Sequence, residues 1–151
     1  MKRRILIGAV VMALGATGVA VAHISADQLP AGPIRDRHEL MEGIGKNAKT
    51  IGDAMKSGKF EPVGPAADAI HSSAGKVLAL FPKGSTHEHS RAKPEIWQQW
   101  DKFESGVQAL ATASAELAAA AKAGSGVPDA AQKMFGTCKA CHDQFRVPEK
   151  K

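Results

Sequence analysis

The chain has 151 residues, 44% hydrophobic and only 5% aromatic, with no tyrosine: enough apolar content for one compact core, and too short a chain for two comfortable domains. Its formal charge of +5 includes Lys2, Arg3 and Arg4 of an N-terminal leader, so the remainder carries 17 basic against 15 acidic residues, a net +2. No basic run interleaved with aromatics is left, which argues against a nucleic-acid partner.

The leader, MKRRILIGAVVMALGATGVAVAHIS, joins the basic cluster to an apolar run that ends in Ala20-Val21-Ala22, the small-x-small pattern of a signal-peptidase site. Residues 1–22 are expected to be a cleaved export signal, leaving 23–151 as a single domain in the periplasm. Ile5 to Ala22 is also close to the shortest run that spans a bilayer. Interruption by Gly8, Gly15 and Gly18, together with the Ala-x-Ala end, favours cleavage before His23.

Residues 23–32 show no helical stripe, and Pro33 suits a helix's first turn. Ile34, Arg37, Met41, Ile44, Ala48, Ile51 and Met55 then recur in steps of three and four. They predict one face of a helix that stops near Ser57-Gly58. Pro62, Gly64 and Pro65 read as a connection, and Ile70, Ala74, Val77 and Phe81 as the stripe of a second helix ended by Pro82 and Gly84. The segment KGSTHEHSRAKP is polar and turn-forming, a surface loop. Pro94-Glu95 opens a third and longest helix, with Ile96, Trp100, Phe103, Val107, Leu110, Ser114 and Leu117 on one face and Gly124-Ser125-Gly126 at its end. Pro128-Asp129 begins a fourth, carrying Ala131, Phe135, Cys138, His142 and Phe145. Period-two Val/Ile runs are scarce, so the expected fold is all-α: an antiparallel up-down-up-down four-helix bundle.

The only two cysteines lie on the last helix, in TCKACHDQFR, three residues apart and so on nearly the same face, with His142 directly after the second. A structural zinc site would want four ligands, and His87-Glu88-His89 lacks the usual spacing of the second pair. A dithiol–disulfide redox centre reads as C-x-x-C, but its low-pKa thiolate belongs at a helix N-terminus in a strand-containing fold, which makes it a remote alternative. Covalent haem c attachment uses all three residues: Cys138 and Cys141 bond the porphyrin edge, and His142 ligates the iron. Export agrees with this reading, since an unattached cysteine pair outside the cytoplasm tends to oxidise.

With C-x-x-C-H near the C-terminus of an exported four-helix chain, with RHELMEGIGKNAK in the first helix and AKPEIW opening the third, the sequence resembles the class II c-type cytochromes, the cytochrome c′ family. The resemblance covers most of the chain after the leader. It implies Cys138 and Cys141 as thioether positions, His142 as proximal ligand, Arg146 as a basic residue near the imidazole, Met41 facing the distal side of the iron, and Arg37 as partner of a haem propionate. The stripe supports the last two independently. Arg37 and Met41 are i and i+4 on the core-facing side, and a buried guanidinium needs an anion that the other helices do not obviously offer, unless it snorkels to the bundle's end.

Met41 separates two mechanisms. A thioether that reaches iron makes a six-coordinate His/Met site suited to electron transfer. One held back leaves a small apolar distal pocket, bordered by Met41, Ile44 and Phe81, open to nitric oxide or carbon monoxide. Plain core packing, the usual role of a methionine on an apolar stripe, is the third reading. The family contains both coordination types. The expected function is a periplasmic electron carrier with redox partner proteins, with gas binding as the alternative and with homodimers through the first two helices as an arrangement the family often adopts. An enzyme is not expected: no acid–base residue stands beside Met41 on the stripe, and His38 points about 100° away from Arg37, towards the outer face. His87 and His89 are read as solvated loop residues, and Trp97 and Trp100 as packing anchors.

Overall fold

Glycines in the left-handed region close the two longest helices of the computed structural model, which describes residues 25–148. Helix α1, Pro33–Ser57, has proline in its first turn and stops at Gly58 (φ 69°), as its stripe predicts. Helix α2 spans Val63–Val77 and tightens into a 3-10 turn at Leu78–Leu80. A single turn, α3, covers Glu95–Gln98; α4 covers Trp100–Ala123 and stops at Gly124 (φ 69°); α5 covers Val127–Phe145. The leader, its cleavage site and His23 lie outside the described residues.

The architecture is the expected four-helix bundle. Among the described residues there is no strand, only one antiparallel bridge, Ala92 to Arg146. None of the described helices is long and apolar enough to cross a membrane.

Three boundaries differ from the sequence reading, each for a physical reason. Gly64 and Pro65 belong to the first turn of α2 rather than to the connection, because first-turn N–H groups have no intrahelical acceptor and proline there costs nothing. The fourth helix begins at Val127, with Pro128 inside its first turn. The third helix is broken at Gln99 (φ −126°, ψ 47°), and at 24 residues α4 is shorter than the 25-residue α1. The break follows from two anchors pulling in different directions. The Trp97 indole donates to the carbonyls of Phe81 (3.1 Å) and Pro82 (3.0 Å), docking α3 on the end of the second helix, while α4 must follow the bundle axis.

The interior divides into two clusters. One is aliphatic, built on Ile44, Ile51, Val63, Ile70, Leu117 and Met134. The other is aromatic, built on Phe81, Ile96, Phe103, Val107 and Phe145. Phe103 is its hub, with ring centroids 4.9 Å from Phe81, 5.6 Å from Trp100 and 5.4 Å from Phe145. Packing is extensive between α1 and α2, α2 and α4, and α4 and α5, but α1 and α5 scarcely touch. One of the four sides of the bundle is therefore left nearly unclosed.

Candidate functional site

Helix α5 turns two rows of side chains away from solvent to different degrees. Ala131, Met134 and Phe145 are buried. Ala131 and Phe145 thus bear out the two ends of the predicted stripe, while its middle members Phe135, Cys138 and His142 stay half-covered, as does Cys141. A Cβ placed on Gly106 of α4 would lie 3.7 Å from Cys141 Sγ, an ordinary van der Waals contact, so α4 passes close beside the second cysteine. Cys141 also packs against the aromatic cluster.

The electrostatics of this row suit neutral ligands. Burial pushes the Cys138 thiol up, against a smaller opposing effect of a hydrogen bond with Thr137, and pushes Cys141 up together with the neighbouring Cys138. These are not the depressed thiols of a dithiol redox centre. For His142 the shift is downward: burial is the main cause, the charges of Arg146 and Arg91 add to it, and Asp143 opposes. At neutral pH the ring is uncharged and keeps a lone pair for a metal. Arg146 is exposed, and its backbone N–H donates to the His142 carbonyl at 3.0 Å.

On the opposite wall of the unclosed side, α1 carries Arg37 and Met41. Arg37 is 4% exposed and so does not snorkel. Its Nη1 donates to Ser85 Oγ (2.8 Å), and its Nη2 to the Ser85 carbonyl (2.7 Å) and Ser90 Oγ (2.9 Å). The guanidinium carbon stands 4.8 Å from the centre of the Phe81 ring. Burial lowers its pKa, and no carboxylate among the described residues forms an ion pair with it. Met41 is half-buried and packs against both core clusters.

Ser85 and Ser90 were not singled out by the sequence. They belong to the segment read as a solvated loop, and the usable signal was indirect: a buried arginine needs acceptors, and this loop is rich in hydroxyls. The loop is also stapled to the end of α5. Lys93 N–H donates to the Phe145 carbonyl (2.9 Å) and Val147 N–H to the Arg91 carbonyl (2.8 Å). Arg91 Nε donates to the Val147 carbonyl (2.9 Å), while Lys93 Nζ reaches the carbonyls of Asp143 and Gln144 (3.2 Å each), where a cation is favoured at a helix C-terminus.

The other histidines stand apart. His38 is only partly turned outward: its Nε2 is covered and lies 3.4 Å from the Glu42 carboxylate without making a hydrogen bond to it. His87 and His89 sit in the loop with ring centroids 5.4 Å apart, and the described residues contain no group of three or more metal-ligating side chains. A wide surface groove of about 950 Å³ between α2 and α4, bordered by Phe60, Asp68, His71 and small residues, contains none of the predicted site residues.

The residues present therefore fit a flat anionic group between α1 and α5. Helix α5 offers two thiols and an imidazole that are half-covered, α1 offers a buried cation with no carboxylate partner among the described residues, and these two helices hardly pack together. The comparisons agree with this chemistry. The family model described as Cytochrome C′ matches residues 32–146. The chain is 34% identical to the cytochrome c′ of Rhodospirillum rubrum, over 96% of this chain and 99% of that protein. It is 32% identical to a cytochrome c-556 of Agrobacterium tumefaciens, over 78% of this chain and 98% of that one. The crystal structure of cytochrome c′ from Thermochromatium tepidum superposes with a TM-score of 0.72 at 27% identity, covering 84% of this chain and all of that one. A match of this extent, on a bundle with this shape, places the chain in the cytochrome c′ family, whose members carry covalently attached haem c with its iron.

Proposed function

We propose that the protein is a periplasmic one-electron carrier in which Cys138 and Cys141 hold haem c by thioether bonds and His142 is the proximal ligand. The carrying observation is that those three residues are half-covered on α5, a helix that α1 hardly packs against. Arg37 is assigned to a haem propionate, because its buried charge has no carboxylate partner among the described residues. Burial, with the charges of Arg146 and Arg91 adding to it, lowers the pKa of the His142 imidazole and so favours its neutral, ligating form. Held by Cys138, Cys141 and His142, haem would supply a ferric/ferrous couple and a site for a small ligand.

A second reading, binding of nitric oxide or carbon monoxide, is favoured by one specific observation: Met41 already has a packing role against both clusters, which it fills without an iron to ligate. The similar identities to a cytochrome c′ and a cytochrome c-556 do not separate the readings. The leader directs export and is removed before His23 in this proposal, and two copies pair through α1 and α2.

The test is the mass and visible spectrum of protein purified from cells competent in haem attachment. The expected mass is that of residues 23–151 plus one haem. A mass equal to the bare chain would end the proposal. A low-spin spectrum unmoved by carbon monoxide after reduction selects the carrier with Met41 as ligand; a high-spin spectrum that shifts selects the open site. Sedimentation measures the pairing.

A further inference from the structure

The two helices that form the walls of the slot hardly meet, yet one segment ties them together. The connection Pro82–Pro94 grips α1 at Arg37, through Ser85 and Ser90, and grips the end of α5 around the bridge at Ala92 through five hydrogen bonds of Arg91 and Lys93. Three hydrogen bonds of 2.7–2.9 Å to a single guanidinium that is 4% exposed make the α1 grip specific. Charge-assisted bonds in a buried setting are about twice as strong as neutral ones.

We propose that Ser85 and Ser90 are positioning residues for the haem site: by fixing Arg37 against the strap, they set the separation of α1 from α5 and hence how closely Met41 approaches the iron. This rests on the haem reading above. Neither serine touches the haem. Both act through Arg37, whose guanidinium is fixed by the hydroxyls on one side and lies over the Phe81 ring, and Arg37 stands one turn before Met41 on the same face of α1. Phe81 and Met41 belong to the same aromatic cluster, so a shift of the guanidinium is passed directly to the distal wall.

The strap also accounts for the composition of the segment. A loop that only linked two helices would need no buried contacts, whereas Ser85, Ser90, Arg91, Ala92 and Lys93 are all withdrawn from full exposure. The hydroxyls leave the guanidinium's charge uncompensated, so Arg37 stays available to an incoming carboxylate; an aspartate at either position would neutralise it.

The experiment compares the haem-loaded wild type with Ser85→Ala, Ser90→Ala, the double variant, and Ser85→Thr/Ser90→Thr, which keeps both hydroxyls. Spectra in both oxidation states, midpoint potential, carbon monoxide titration of the reduced form and thermal midpoint are recorded for each. In the double alanine variant the carbon monoxide dissociation constant is expected to fall about three- to tenfold, the range for residues coupled in one network, with a change in the visible spectrum and partial return in the threonine variant. Lower thermal stability with spectrum, potential and gas affinity unchanged would overturn the proposal and leave the serines a merely structural role. If the double variant does not fold, the single variants carry the same comparison. Wild type lacking haem by mass would instead strike at the underlying reading, so the two failures are told apart.

Discussion

Truncating Phe103 to alanine tests whether the aromatic cluster is part of the site or only part of the core. The ring is 3% exposed and meets three other aromatic rings. Phe→Ala in a core costs about 3–5 kcal/mol, and ring–ring contacts add about 0.5–1.5 kcal/mol each beyond area burial, so a value near the top of the range, about 4–5 kcal/mol, is expected. The comparison is Leu117→Ala. Leu117 is fully buried in the aliphatic cluster and further along the same helix, about 21 Å away at ~1.5 Å per residue. Its loss costs about 2–5 kcal/mol. Denaturant unfolding followed by circular dichroism gives both costs, and absorption spectra of the folded variants give the effect on the haem. Both substitutions lower the unfolding midpoint, but only Phe103→Ala moves the spectrum, because Met41 and Cys141 both lean on the cluster that Phe103 organises. An equal spectral change in Leu117→Ala, or a cost below about 1 kcal/mol for Phe103→Ala, would refute the division of the core into two functional halves.

Gly106→Ala is expected to stabilise the protein by about 0.5–1 kcal/mol through helix propensity, since the new Cβ meets Cys141 Sγ at an ordinary 3.7 Å; Gly106→Leu, too large for that space, lowers the haem content of purified protein, read from absorbance per mole of chain. Trp97→Phe keeps most of the apolar contact but removes the indole donor shared by Phe81 and Pro82; unfolding curves should show a loss of about 1 kcal/mol with the spectrum retained. Asp53 is held below the usual carboxylate range chiefly by its hydrogen bond from Lys49, with Lys56 adding a little. Its stabilising effect is therefore present above the unfolded-state pKa of about 4 and is lost as the pH falls through the lower folded value, so Asp53→Asn slightly lowers stability near neutrality, leaves it unchanged in strong acid and thereby flattens the acid limb of the stability profile.

The sequence exposed most of the helices because their stripes, prolines and terminal glycines act locally. Pro33 and Gly58 bound α1 where expected. The break at Gln99 was not legible, since it depends on where the Trp97 indole finds its acceptors, 15 and 16 residues earlier in the chain. Cys138, Cys141 and His142 could be proposed from the sequence because haem attachment needs a fixed spacing that a short motif carries whole. Arg37 was half legible: its place on an apolar stripe flagged it as unusual, but its serine partners lie 48 and 53 residues away, and no periodicity connects a hydroxyl in a loop with a guanidinium on a helix. The α5 stripe was misassigned in part for a related reason. Met134 lies one residue before Phe135, and only the packing of α4 decides which of the two is buried.

That misassignment bears on function. A bundle that closed all four sides would bury Phe135, Cys138 and His142 as the periodic pattern suggests, and nothing could reach the imidazole. Leaving those side chains half-covered costs apolar burial, at about 25 cal/mol per Å², which the aliphatic cluster offsets by holding α1, α2, α4 and α5 together away from the slot. The aromatic cluster then lines a side that α1 and α5 do not complete by themselves. On this arrangement the family's haem would be a structural partner, adding apolar surface where α1 and α5 hardly pack.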